Sequence, residues 1–523
     1  MADSDVAIVG GGPVGLGLAI DLAQRGVRSV VLERGTKLHN IPKGQNLTQR
    51  TGEHFRRWGV TKAIQNATPI PRQYGNAGLV AYGTLLSGYH YDWFQRSKVG
   101  AYYHAQNERL PQYRTEEVLR ARAAELPQID FRTGSKVVDL VAGADGVSLD
   151  VDTGSGIDRL SAAFAVGCDG ARSAIRELAG IKQDMDHQGP RMALLVFRST
   201  ALDRILERYP GKSIFNVMNP AMNGYWQFLG RIDLDGGYFY HAPVPEGAEG
   251  EAYFKSHLYE MAGTEFDLEF EHIGFWDLRI SHATTYRQGK VFIAGDAAHS
   301  HPPYGGYGVN TGFEDATNLS WKLAATFQGW AGKALLDSYS AERHPAFRSV
   351  ARDFIGRMID DFRAFADQFS PQKDQAAFDA AWQARASGDD SDVTQFLPHY
   401  AGSPIVFGPK GAQSGAKGTH QFIAQPGYHL APQTMPDGEE LWDHLGDDFT
   451  LLNFGGRDNS GFEAAAKARS IPLTIVQAPS PALQEVYGTD MILVRPDQFV
   501  AWIGTNNNID AGTVLDRATG ALV

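Results

Sequence analysis

Val6-Ala7-Ile8-Val9-Gly10-Gly11-Gly12-Pro13-Val14-Gly15-Leu16 joins a short apolar run to a glycine-rich turn. Val6 to Val9 suits a buried strand. Gly10, Gly12 and Gly15 stand in G-x-G-x-x-G spacing. Pro13 fits the first position of a helix whose face carries Val14, Leu18 and Leu22 and which Gly26 ends. Ser29 to Leu32 is a second strand, and Glu33 closes it. This is a βαβ opening with a dinucleotide fingerprint. Gly10 permits the turn, Gly12 lets the backbone approach a pyrophosphate, and Gly15 lets helix and strand pack closely. The helix N-terminus favours phosphate, and an acid at Glu33 can accept a ribose hydroxyl.

The rest of the chain fits a soluble multidomain protein. It has 523 residues, 43% apolar and 21% charged, which is globular composition and too long for one ordinary domain. A net charge of −12 argues against a nucleic-acid partner. A single cysteine, Cys168, excludes an intramolecular disulfide, a Cys-based zinc site and a Cys-pair redox centre. The first residues carry no basic charge before a short apolar run, unlike a secretory signal, and no stretch approaches the ~20 apolar residues of a membrane span. The expectation is a cytoplasmic protein without membrane contact. Residues 185–285 hold strand-like runs dense in aromatics, residues 312–365 have helical spacing, and Ala386 to Pro404 reads as a linker. Met491–Arg495 and Phe499–Ile503 flank a turn as a hairpin.

Two later segments specify the cofactor. Val291-Phe292-Ile293 leads into Ala294-Gly295-Asp296-Ala297-Ala298-His299. Then come His301-Pro302-Pro303-Tyr304-Gly305-Gly306-Tyr307-Gly308-Val309-Asn310 and a helix from Gly312. Gly167-Cys168-Asp169-Gly170-Ala171-Arg172-Ser173 is a second glycine-bearing turn. With the first fingerprint, these three segments resemble, in order, those of the single-component FAD-dependent aromatic hydroxylases, the phenol and p-hydroxybenzoate hydroxylase group. The tail around Leu493–Gln498 and Val500–Trp502 resembles the thioredoxin-like C-terminal domain of the larger members, which lacks CxxC.

That resemblance implies an α/β fold. A Rossmann-like FAD-binding domain (1–75, 100–184 and 286–345) is interleaved with an antiparallel-sheet substrate domain (76–99 and 185–285). A helical segment and linker (346–400) and a thioredoxin-like domain (401–523) follow. It implies FAD contacts from Gly10, Gly12, Pro13, Val14, Gly15, Glu33, Arg34, Lys43, Gln45, Arg50, Gln112, Val137, Asp169, Gly295, Asp296, Pro303, Gly306, Gly308, Val309 and Asn310. Within that set, Arg50 is placed at the phosphates, Gln112 and Asp296 at the ribityl chain, and the amides of Gly308 to Asn310 at the flavin pyrimidine edge. Asp169 reads equally as a turn cap. His299 and His301 are expected to be structural or flavin-adjacent, and no metal motif is present.

The implied reaction is NAD(P)H- and O2-dependent hydroxylation of an electron-rich ring through a flavin C4a-hydroperoxide, NADPH or NADH binding transiently as co-substrate. The ring is a phenol, a hydroxypyridine or a polyketide-type phenol. Tyr225, Trp226, Phe228, Tyr304 and Tyr307 are the expected pocket walls; Tyr240, His241 and His282 are acid–base candidates. Gln45 aligns where relatives place an acid, and an amide cannot act as a general base. The same scaffold supports epoxidation or Baeyer–Villiger insertion, and a flavin oxidase or dehydrogenase is a further alternative. A homodimer is a family expectation.

Overall fold

The computed structural model describes residues 3–75, 78–388, 391–504 and 510–522. Asn76 and Ala77, where the expected boundary falls, and Asp389 and Asp390 of the expected linker lie outside them.

Ser4–Val9 is a central strand. It pairs in parallel with Ile157–Gly167 on one side and Ser29–Glu33 on the other, and Val291–Ile293 and Ile129–Thr133 extend the sheet in parallel. Every residue of Ser4–Val9 except Asp5 is buried, as a strand covered on both faces requires. The helices Pro13–Gln24 and Gly308–Gln328 pack against each other beside this sheet. Antiparallel strands at Lys136–Ala142 and Val147–Asp152 make it mixed.

The second sheet takes strands from Gly78–Tyr82 and His90–Trp93 and from five segments between Gln183 and Ala283, with His299–Ser300 at its edge. It is antiparallel except where Ile214–Met218 runs parallel to Gly78–Tyr82. Those two strands are far apart in sequence, so no hairpin constrains their direction. Both faces are covered. Val80, Ile214, Phe228 and Phe239 pack with Tyr304, Tyr307 and the helical residues Phe347, Phe354 and Phe362. Leu79, Phe215, Leu229, Tyr238 and Tyr240 pack with Phe254, Leu258 and Met261 of the helix Glu251–Ala262.

The helices Asp337–Ser349 and Arg357–Gln368 are joined through a π-helical turn at Val350–Gly356, just after Pro345. The expected linker is a correction. Phe396–His399 forms a strand with Gly415–Lys417, because Phe396 packs 4.4 Å from the Tyr307 ring and anchors the stretch. In the tail, Phe449–Asn453 lies between parallel Leu473–Gln477 and antiparallel Met491–Val494, with Val500–Gly504 outside. Three helices complete a thioredoxin-like unit. The expected hairpin is present, its turn holding Gln498 at φ 68°.

Candidate cofactor and substrate site

The glycine loop has the local geometry its sequence requires. Gly10 has φ 109°, and a Cβ there would lie 2.3 Å from the Cys168 carbonyl oxygen; at Gly15 it would lie 2.0 Å from the Gly10 oxygen. Gly12 differs: nothing lies within 4 Å of its Cβ position, so the backbone opens onto free space at the N-terminus of Pro13–Gln24. The Glu33 carboxylate accepts from the Gly11 and Gly35 amides, both at 2.7 Å, and is fixed at the rim of the loop. Arg34 beside it is exposed.

Three distant segments meet at the same cleft. A Cβ on Gly44 would lie 3.6 Å from Gln112 Oε1 and 3.9 Å from Val309 Cγ1. Gln112 Nε2 donates to Glu116 at 2.8 Å. Burial pushes the Glu116 carboxyl up, and Arg120 and Lys43 pull it down while Glu33 pushes further up. Asp296 is exposed to solvent, yet protein atoms crowd around its carboxyl. Burial raises its pKa, opposed by His299 and Lys43. Lys43 is therefore in the field of acids on both sides of the cleft. The Gly295 amide donates to Asp315 Oδ2 at 2.9 Å, and His299 and Arg343 fix the same carboxylate at 2.7 Å each. Val14 packs against both Gly295 and Gly312, where a Cβ would meet its side chain at 3.0 and 2.5 Å.

The helix Gly308–Gln328 leaves its first amides, at Gly308, Val309 and Asn310, without intrahelical acceptors. The Asn310 side chain is fully used: Oδ1 accepts from Thr48 N and Thr51 Oγ1, and Nδ2 donates to Asn46 O and Gly306 O. Its contribution toward a ligand is thus its backbone. Gly306, at φ 66°, seats against Asn46, and Pro303 begins the tight turn through Gly305. His301 donates from Nδ1 to the Pro302 oxygen at 2.6 Å, burial lowers its pKa to about 4, and its Nε2 is buried without a partner.

Several expected roles are corrected. Arg50 is not free for phosphate. It donates to Glu314 (2.6 Å), Glu53 (2.8 Å), the Asp497 oxygen (2.6 Å) and Gln498, because partners distant in sequence surround it. Of the two readings of Asp169, its contacts are those of the cap: it accepts from Ser173 Oγ at 2.5 Å and Ile175 N at 3.2 Å. The Val137 side chain is buried in the sheet core, leaving only its backbone for a cofactor, at a ladder irregularity between Val137 and Asp139. Tyr240 points to the face opposite Tyr304 and accepts from Gln227 Nε2 at 3.0 Å. Strand alternation puts it there and puts His241 on the other side. Tyr225 is bound to His187, and Tyr307 donates to the Asp392 oxygen at 2.8 Å, so both serve the scaffold. His282 is paired with Asp186 at 2.9 Å.

Trp226 stacks on Tyr304 at 4.8 Å, and with Phe228 they join the cofactor loop to the sheet. His241 lies on that face. Trp276 Nε1 donates to its Nδ1 at 3.2 Å, and burial lowers its pKa to about 4. The ring is neutral at pH 7 with its proton on Nε2. Gly44, Glu116, Trp276 and Arg109 were missed by sequence reasoning; only the pairing of segments reveals them. A cavity of about 40 Å³ lies beside Thr48, Asn310 and Phe499.

An open glycine loop, an acid in the cleft and a helix start facing it fit FAD, as does the neighbouring aromatic sheet face. Residues 3–353 match the FAD binding domain family and residues 425–522 the aromatic-ring hydroxylase C-terminal family. The chain belongs to the FAD-binding-domain family and is an FAD-dependent aromatic monooxygenase. It is 30% identical to the FAD-dependent monooxygenase apdD of Emericella nidulans, over 98% of this chain and 90% of that protein. It is 29% identical to the 4-methyl-5-nitrocatechol 5-monooxygenase of a Burkholderia species, over 99% and 97%. The rebeccamycin biosynthetic enzyme RebC with reduced flavin superposes with a TM-score of 0.84 at 28% identity, covering 99% of each chain. Among the described residues no helix is long and apolar enough to cross a membrane.

Proposed function

We propose that this chain hydroxylates an electron-rich aromatic ring (a phenol, hydroxypyridine or polyketide-type phenol) using O2 and NADPH or NADH. One juxtaposition supports the reading: the open Gly12 turn, Gly44 against Gln112 and Val309, and Gly295 beside Asp296 against Val14 come together, and Tyr304 of the following loop packs on an aromatic sheet face. When bound, FAD supplies the redox chemistry, taking a hydride from NAD(P)H and delivering one atom of O2 to the ring.

The chain's own residues hold and shield. Gly12 and the helix behind it receive the pyrophosphate. Glu33 takes the adenosine ribose once its place at the rim is shared, and Asp296 and Gln112 take ribityl hydroxyls. The amides of Gly308 to Asn310 set partial positive charge behind the pyrimidine edge, as in an oxyanion hole. Trp226, Tyr304 and Phe228 exclude water from the reacting side. Among the described residues, the other parallel β–α–β unit, Phe449–Asn453 to Leu473–Gln477, lies in the tail, which supports transient binding of the nicotinamide.

The test is direct. Purified protein releases FAD on denaturation, and phenols stimulate NAD(P)H oxidation with labelled O2 entering the product. Substrate oxidation that consumes no NAD(P)H makes the protein an oxidase or dehydrogenase instead. Label entering an ester or epoxide makes it a Baeyer–Villiger enzyme or epoxidase.

A further inference from the structure

Arg109 is a buried cation with no carboxylate partner among the described residues. It is 2% exposed. Its Nη1 donates to Ser213 Oγ at 3.0 Å, and its Nη2 to Gln45 Oε1 at 3.1 Å and the Arg231 carbonyl at 2.5 Å. All three acceptors are neutral. Arg231 is the other charge in its field, and Asp203 neutralises that one. Burial and Arg231 lower the Arg109 pKa to about 9, so it remains a cation near neutral pH. Two donors of this pair, Arg109 Nε and Gln45 Nε2, are buried without acceptors. A buried charge without a counter-ion destabilises a fold unless something else supplies one.

The place is informative. Arg109 pairs with Asn46 across a short ladder, and the Asn46 carbonyl accepts from Asn310 at 2.8 Å. Gly44, on the other side of Gln45, borders Gln112 and Val309. Gln45 therefore sits between two residues that touch the cofactor loops. In the opposite direction, a Cβ on Gly230 would lie 3.2 Å from Arg109 Nη2, on the sheet face of Phe228 and Phe239. One row along, Asn216 and His241 flank Phe228 in the ladder, roughly 10 Å apart by strand spacing. Asn216 is 1% exposed, and both polar atoms of its amide lack partners among the described residues.

We propose that the ring is bound as its anion, with the ionised oxygen held by Arg109 and Gln45, and that a fixed positive charge replaces a general base. This rests on the hydroxylase reading above. The phenol proton goes to bulk water as the ring binds, and no side chain receives it. Asn216, whose amide has no partner among the described residues, takes a second, uncharged oxygen substituent. The substrate class is a planar phenol or enol with at least two oxygen functions, such as a catechol or hydroxyquinone.

The probe is 4-methyl-5-nitrocatechol, whose ionisation is visible in its absorbance. FAD-loaded protein is titrated with it across the neutral pH range. The bound probe ionises at least about tenfold more readily than the free probe, one pKa unit. Arg109→Met removes the shift, and Arg109→Lys, which keeps the charge, retains part of it. Equal ionisation of free and bound probe overturns the proposal, as does the absence of binding at millimolar probe. A shift that survives Arg109→Met and disappears in His301→Gln also overturns it, assigning the proton to His301. FAD content and phenol-stimulated NAD(P)H oxidation are read on the same samples. Their loss in the unsubstituted protein sinks the hydroxylase reading, whereas a flat titration with both intact sinks only the role of Arg109.

Discussion

Asp169 and Asp296 both stand beside a glycine in a turn, and their surroundings divide their work. Asp169 accepts two hydrogen bonds from its own turn and helix start. Asp296 accepts none from the chain in the described contacts and is accessible in the cleft. Asp169→Ala therefore costs about 1 kcal/mol of stability, as loss of a helix cap does, and leaves FAD affinity near its original value. Asp296→Ala does the reverse: loss of a charged hydrogen bond, about 1.5–3 kcal/mol, weakens FAD binding by roughly tenfold to a hundredfold. FAD titration of the apoprotein and thermal melts on both variants decide this, and equal loss of FAD in the two would remove the distinction. The glycine positions and Glu33 were readable in the sequence because one short segment contains their whole geometry. Arg50 was not: its Glu53 partner is three residues away, but Glu314 and Gln498 lie 264 and 448 positions along the chain.

At the scale of elements, the strand Gly237–Pro243 shows why the substrate face was hard to read. Six of its seven residues are buried, since helices cover both sides of the sheet. No alternation of polarity marks which side Tyr240 or His241 faces. Only the pairing of His241 with Phe228 and of Tyr240 with Leu229 separates them. The helix Gly308–Gln328 was legible from its loop and spacing, and its close approach to the first fingerprint follows from Gly312. A Cβ there would lie 2.5 Å from Val14. Gly312→Val forces the helix from the loop at an overpacking cost of about 1–3 kcal/mol. The FAD retained per chain after gel filtration falls while far-UV circular dichroism holds. Full FAD occupancy in this variant would show that Val14 and the helix move without harm to the site.

Across the whole molecule, the tail is tied to the cofactor domain by buried charge. Glu342 takes Lys322 at 2.7 Å and Arg495 at 2.6 Å, and Arg495 also holds Asp497 at 2.6 Å. The lone Cys168 lies far outside the tail in sequence, so this thioredoxin-like unit contributes packing and not thiol chemistry. Removing one member leaves the other charges buried and uncompensated, and Glu342→Gln costs about 3–5 kcal/mol. Its pH dependence has a definite sign. Burial opposes ionisation of Glu342, but Arg495 and Lys322 overcome it and hold the carboxyl well below its ordinary value of 4.5. Its stabilisation is present above that value and is lost as the pH falls through the depressed one. His241 and His301, lowered to about 4 by burial, act earlier. From the ordinary histidine value of 6.5 downward the unfolded chain takes up protons that these rings refuse, so stability falls between 6.5 and about 4. The melting temperature plotted against pH thus declines in two stages, histidines first and carboxylates below. Glu342→Gln lowers the whole curve and flattens only the second stage. A variant curve parallel to the original throughout would show that Glu342 titrates alike in the folded and unfolded chain, and that the tail is docked by its apolar contacts alone.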